Sequence, residues 1–314
     1  MRRIWIVPSL VLALLLVASN LTRQSSSAPL PIPPGKLVDI GGRKLHFYCS
    51  GLGPTTVIFE NGATSFSIDW ELVRPKVART TRVCVYDRAG YGWSDPTPKI
   101  DWADHVVHDL FVGLKNAGEH PPYVLVGQSI GGLFSLLYWH EHSDQVAGVV
   151  LVDHRAIAVP MGGKPAPLWT LTQEQLQAAL PPLSSLRKPP IPTNVHPPFD
   201  KLPPDAQAIH LRLEQRFFEN LDFSSGPGMM ESWRKAFITV RQPQNNTADV
   251  PLIILTAEDT NTEERQQQAD LLRLSRNSKQ IIAARSGHFV QFDRPDLVID
   301  TIQQVLSEIS TRKY

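Results

Sequence analysis

Cysteine is almost missing from this chain: Cys49 and Cys84 are the only two in 314 residues. Two thiols without a short C-x-x-C spacing exclude a cysteine zinc module, and a single pair excludes a multiply stapled scaffold. Charge of one sign is also lacking. Lys and Arg number 31 against 30 Asp and Glu, a net charge of +1, which excludes the dense basic footprint of a nucleic-acid binder. No repeat of fixed period appears, so solenoids and propellers are excluded. The longest apolar run, Ile4 to Ala18, is shorter than the ~20 residues that span a bilayer. What remains is core-forming: 42% of residues are hydrophobic and 19% charged, enough to bury a sizeable interior.

The N-terminus differs from the rest. Arg2 and Arg3 precede the apolar run, and small residues follow it. That is the layout of a secretory signal peptide, with Val17 and Ser19 ahead of a cut before Asn20. An uncleaved anchor extending to Leu21 is the alternative. Arg23 to Gly35, "RQSSSAPLPIPPG", reads as an extended linker. The expectation is a domain held outside the cytoplasm, either secreted or periplasmic or anchored to a membrane through residues 1–35. Asn20 and Asn245 head N-x-T acceptors, which matter only in a eukaryotic secretory route.

From Lys36 onward, short apolar, β-branched runs alternate with helical patterns. "KLVDI" and "KLHFYCS" meet at Gly41-Gly42 as a hairpin. "TTVIFE" (55–60), "RVCVYD" (82–87), "YVLVG" (123–127), "VAGVVLVD" (146–153), "VPLIILTA" (250–257) and "KQIIAA" (279–284) read as further strands. Helices are expected over 70–79, 101–117, 130–142 and 295–310. The alternation predicts a mostly parallel sheet covered on both faces, with an antiparallel edge. It fails between Asp153 and Val250, where prolines crowd and central strands are excluded. Residues 155–248 therefore read as an inserted cap with short helices at "TQEQLQAAL" and "DAQAIHLRLEQRFFENL". Residues 36–154 and 249–314 form the core.

The sharpest feature is "VLVGQSIGGLF" (124–134). A serine between two glycines, at a strand-to-helix turn, is placed to display its hydroxyl at the carboxyl end of the sheet. A hydroxyl needs a base to become nucleophilic. Among the 10 histidines, His288 in "RSGHFVQFDRPDLV" follows the last strand on a loop at that same end. The base needs an acid to orient it. Asp259, just beyond "PLIIL", is the favoured candidate; Asp153, at the end of "VVLVD", is the rival, and Glu258 neighbours the first. The amide of Ile130 and that of Ala63, in the loop after "TTVIFE", are the candidate oxyanion donors. His140 and His142 lie two apart on a helix and face different ways, while Asp101, His105, His108 and Asp109 read as a solvated face. No metal and no cofactor are expected.

These residues give the chain a resemblance. "GQSIGG", "SGHFVQFDRPDLV" and "RVCVYDRAGYGWSD" (82–95) look like the α/β-hydrolase superfamily, in its serine esterase, lipase and peroxidase-like branch, over nearly all of 36–153 and 250–310. Gln128 and Asn61-Gly62 depart from the histidines many relatives carry there. The resemblance implies an α/β-hydrolase fold: an eight-stranded, mostly parallel sheet, helices on both faces and an inserted helical cap. It implies a Ser129–His288–Asp259 triad, with Asp153 still open, acting on a small-molecule acyl substrate: a carboxylic ester, lactone or thioester. Acyl transfer or perhydrolysis with the same triad, or a non-catalytic binding protein on this fold, are the alternatives. A serine nucleophile argues against the epoxide and haloalkane branches, which use aspartate. The family's strand order also sets Cys49 beside Cys84 on antiparallel strands, which allows a cross-strand disulfide; two small buried free thiols are the alternative. The loop at 87–95 reads as structural, with Asp87 paired to Arg88. Nothing in the sequence indicates the oligomeric state.

Overall fold

A computed structural model describes residues 29–311 apart from 162–163, 223, 225 and 243–248. The expected signal peptide or anchor, the start of the linker that runs to Gly35, and the acceptors headed by Asn20 and Asn245 lie outside the described residues. Among the described residues no helix is long and apolar enough to cross a membrane.

All eight expected strands form one sheet. β1 (Lys36–Asp39), β2 (Lys44–Ser50), β3 (Thr56–Glu60), β4 (Arg82–Tyr86), β5 (Tyr123–Gln128) and β6 (Val146–Val152) precede the cap. The cap carries a small hairpin, β7 (Ala158–Met161) with β8 (Lys164–Pro167), and β9 (Leu252–Ala257) and β10 (Ser278–Ala283) follow it. The order across the large sheet is β1-β2-β4-β3-β5-β6-β9-β10. β1 pairs antiparallel with β2, and β2 antiparallel with β4; the pairings from β4 across to β10 are parallel.

Strand alternation explains how the sheet is buried on both sides. Side chains point to opposite faces at each step. Ile58, Leu125, Val149, Leu151 and Ile254 face one layer, with α2 (Ala103–Ala117) and α3 (Gly131–Glu141). Val57, Phe59, Val124, Val126, Val150, Val152 and Leu255 face the other. There they meet α1 (Arg74–Val77) and the C-terminal helix, through Val298, Ile302 and Val305. The disulfide that the resemblance allowed is present: Cys49 and Cys84 are cross-strand partners on β2 and β4 and their sulfurs are bonded.

The cap holds α4 (Gln173–Ala179) and α5 (Pro204–Asn220) where short helices were expected, and also α6 (Gly226–Thr239), which was not. α6 opens with "GPG", a sequence that reads as a turn; Trp233, Ala236 and Phe237 drive its packing against the core. Prolines do not keep the hairpin from forming, because it has only two strands and each has a free edge; Pro160 and Pro165 sit opposite one another. The cap is seated by α5, whose His210 Nδ1 bonds Asp69 Oδ1 at 2.7 Å, and by Phe199, which packs on Phe289 and Phe292. After β9 come α7 (Thr262–Ala269), then α8 (Val290–Asp293) and α9 (Pro295–Thr311) beyond β10.

Candidate active site

β5 is buried along its whole length and ends at Gln128. Ser129 then turns back with φ +53°, a left-handed conformation rare for a residue with a side chain, and α3 begins two residues later. Several bonds hold the turn in place. The Ser129 amide donates to Val152 O at 3.0 Å, and its carbonyl accepts from Gly132 N at 3.0 Å. A Cβ on Gly131 would lie 2.5 Å from Asn61 O, so only glycine lets α3 approach the loop after β3.

The hydroxyl has the partner that the sequence predicted. Ser129 Oγ lies 2.9 Å from His288 Nε2. The acid on the far side of the ring differs from the expectation. His288 Nδ1 lies 2.7 Å from Asp153 Oδ2. Asp259, the favoured candidate, is directed outward: its side chain is 62% exposed, and its ionic partner is Arg155 at 3.3 Å. The physical reason is the end of β6. Asp153 takes φ +42°, and its amide donates to Leu255 O at 2.7 Å, which tucks the carboxylate behind His288. Oδ1 there accepts from Thr260 Oγ1 at 2.9 Å and from Ala257 N and Gln268 Nε2 at 3.1 Å. Oδ2 accepts from Arg155 Nε at 2.8 Å as well as from His288. Burial works to raise this carboxyl, but the bonds and charges of His288, Arg155 and Gln268 overcome it and hold Asp153 well below the usual carboxylate range.

The two expected oxyanion donors belong to Ile130, directly after Ser129, and to Ala63, in the loop after β3. Ile130 heads α3 and is buried. Ala63 follows Gly62, which packs against the turn: a Cβ there would sit 2.0 Å from Gln128 Oε1 and 3.4 Å from Ser129 Cβ. What fixes that loop is Arg88, a residue read from sequence only as a partner of Asp87. The two do not pair. Asp87 instead bonds His46 Nδ1 at 2.8 Å. Arg88 is buried and donates to Asn61 O at 2.6 Å, Gly62 O at 2.8 Å, Glu60 Oε1 at 2.8 Å and Asp101 Oδ1 at 2.6 Å. Asp101 therefore belongs to this buried cluster and not to the solvated face expected of it. A trans peptide points its C=O and N–H in opposite directions. With Gly62 O turned to Arg88, the Ala63 N–H is turned away from it. Burial pushes the Glu60 carboxyl up to about 7 against the opposing pull of Arg88.

His154, next to the acid, was also not singled out. Its Nδ1 lies 2.8 Å from the Ser129 carbonyl. A carbonyl can only accept, so Nδ1 carries the proton and Nε2 is the bare nitrogen. Burial lowers this imidazole to about 4, keeping it neutral. The second glycine of "SIGG" makes room for the ring, since a Cβ on Gly132 would meet His154 Nδ1 at 2.7 Å. Arg88 lies in the family-like stretch 82–95, but nothing there points to the loop after β3, and no local pattern marks His154; only the fold brings them to the loop and the turn.

Comparison with known proteins agrees with this architecture. The pattern of the alpha/beta hydrolase family matches residues 57–301. Over 130 residues the chain is 29% identical to 2-hydroxymuconate semialdehyde hydrolase of Pseudomonas sp. (strain CF600), covering 40% of this chain and 46% of that one. The chain spans less than half the length of the curated relatives it matches. Among solved structures, Est816, an N-acyl homoserine lactone degrading enzyme, superimposes with a TM-score of 0.57 at 18% identity, covering 86% of this chain and 99% of that one. A Vigna radiata epoxide hydrolase mutant gives a TM-score of 0.60 at 18% identity, over 87% of this chain and 98% of that one. At these identities the structural matches speak for the fold alone. The chain is a member of the alpha/beta hydrolase family.

Proposed function

We propose that the chain is a serine hydrolase that cleaves a carboxylic ester, lactone or thioester through Ser129, His288 and Asp153. One observation carries the reading: the continuous bond path from Ser129 Oγ through the two ring nitrogens of His288 to Asp153 Oδ2. With Asp153 accepting from Nδ1–H, Nε2 is left bare and faces the hydroxyl, the tautomer a general base needs. His288 takes the Ser129 proton as Oγ attacks the acyl carbonyl. The tetrahedral oxyanion is stabilised by the amides of Ile130 and Ala63, each worth about 3 kcal/mol in such sites. His288 then protonates the leaving group, and water cleaves the acyl-enzyme by the same route in reverse.

Serine at this position supports acyl chemistry over epoxide opening, even though the fold is shared with an epoxide hydrolase. His288 keeps 14% of its side chain exposed, so the base is reachable from solvent. The Cys49–Cys84 bond supports an oxidising location, in keeping with the export signal read at the N-terminus. The test is hydrolysis of p-nitrophenyl esters of increasing acyl length by the wild type and by Ser129→Ala. Turnover that vanishes in the variant is expected; equal turnover in both removes Ser129 from the chemistry.

A further inference from the structure

We infer that Arg155 sets the acid limit of catalysis, by competing with His288 for one oxygen of Asp153. The inference rests on the hydrolase reading above and adds a residue to it. Arg155 Nε lies 2.8 Å from Asp153 Oδ2, and His288 Nδ1 lies 2.7 Å from that same atom. The other oxygen, Oδ1, has three neutral donors in Ala257, Thr260 and Gln268. The carboxylate thus receives five bonds, and a permanent positive charge supplies one of them.

The charge on His288 depends on what Asp153 presents to it. When His288 accepts a proton, the imidazolium is stabilised by the facing carboxylate. A guanidinium on the same oxygen offsets part of that negative charge. It also repels the imidazolium from no further than the two bond lengths combined. Positive charge on the His288 ring is therefore less favoured with Arg155 in place than without it. Arg155 thus acts through Asp153 as a positioning residue.

The surrounding charges have been arranged to hold Arg155 there. Asp259 Oδ1 lies 3.3 Å and Glu264 Oε2 3.8 Å from its outer nitrogens. Asp259, which stands where the resemblance puts the acid, thus touches the triad only through this arginine. Asp259 and Glu264 are the anions nearest the pair, and the exposure of Asp259 leaves it screened by solvent. Asp293 on α8 is occupied by Gly287 N at 2.7 Å and by Lys201 of the cap. Glu258 accepts from Arg285 N at 2.6 Å, and Arg265 Nη2 donates to the Glu258 and Thr260 carbonyls at 3.2 Å. Gln128, 3.4 Å from His288 Nε2, is neutral. None of these groups replaces Arg155 at Oδ2.

The test is the pH profile of kcat/KM on p-nitrophenyl acetate for the full chain. Arg155→Gln is expected to move the acid limb up by about 0.5–1 pH unit, the scale for losing one partly solvated countercharge. Arg155→Lys, which keeps the charge, is expected to leave the limb within about 0.2 unit of wild type. A limb unmoved or lowered in Arg155→Gln overturns the inference, even if kcat falls at every pH, because that pattern marks a structural role. Should Arg155→Gln fail to fold, Arg155→Cys provides a second route, since both native cysteines are bonded to each other. One folded preparation is modified with ethylammonium methanethiosulfonate or with its neutral methyl counterpart. A lower limb in the cationic form supports the inference, and equal limbs overturn it. Absence of wild-type esterase activity together with an unreactive Ser129 defeats the hydrolase reading itself, a result distinct from an active enzyme whose limb does not move.

Discussion

Among the described residues two clusters join serine, histidine and aspartate, and the proposed chemistry needs the arrangement that one of them has and the other lacks. In the first, Asp87 and Ser67 both lie on the Nδ1 side of His46, at 2.8 Å and 3.4 Å, and Ser67 Oγ also bonds Asp87 Oδ2 at 3.2 Å. The other ring nitrogen is taken by the Pro34 carbonyl, and all three residues are buried. In the second, acid and hydroxyl sit at opposite nitrogens of His288, and the ring reaches solvent. The first cluster ties the segment before β1 to the sheet, helped by Trp93 Nε1 on Pro31 O at 2.8 Å. The residue types are identical. What separates a base from a clamp is which nitrogen faces the hydroxyl and whether a substrate can reach it.

Breaking each cluster in turn sharpens the contrast. Ser129→Ala is expected to lower kcat by about 10⁴–10⁶, as removal of a triad nucleophile does. Ser67→Ala is expected to leave kcat within about twofold and to cost about 1 kcal/mol of stability, the scale of one lost hydrogen bond. Steady-state kinetics and urea unfolding read both. A large kinetic effect from Ser67→Ala contradicts the distinction.

The next effect separates the two acids. Asp153→Asn is expected to reduce kcat by about 10⁴ through loss of the correct His288 tautomer. Asp259→Asn is expected to change it by less than about fivefold, since that carboxylate reaches the site only through Arg155. The reverse order returns the triad to the acid favoured on chain order.

The smallest effect concerns His154, the buried histidine that supports the nucleophile turn. Its folded value, about 4, is lower than the 6.5 of a free imidazole. The unfolded chain therefore binds more protons in that window, so stability falls as pH drops from 6.5 towards 4. The loss amounts to about 2–3 kcal/mol. His154→Asn keeps an N–H donor near the Nδ1 position and does not titrate, so its unfolding free energy is expected to lose that slope while kcat stays within about tenfold. His154→Leu loses the donor as well, and its kcat should fall further with KM little changed. Equal kcat values for the two variants show that the bond to Ser129 O does not position the nucleophile.

The sheet was legible because each strand is a β-branched run with a clear stop, and Ser129 and His288 were legible because a turn and a loop present them. The acid was not. Asp153 and Asp259 both follow strands that end at the same edge, and the choice depends on the backbone of a single residue, the left-handed Asp153. Arg88 and Arg155 were hidden for a related reason. Each is one charged residue in a loop: the carboxylates that Arg88 meets are 28 and 13 positions away, and Arg155, though two residues from Asp153, is held there by carboxylates 104 and 109 positions away. The cap resisted reading because prolines mask α6 and its hairpin, whose stability comes from packing on the core and not from periodicity.

The most direct test of the central claim is covalent. A fluorophosphonate probe reacts with a serine only when a base activates it and an oxyanion site receives the phosphoryl oxygen. Mapping the adduct by peptide mass spectrometry should place it on Ser129 in the wild type, with no adduct in Ser129→Ala or His288→Ala. An adduct on another serine, or undiminished labelling of Ser129 without His288, contradicts the account.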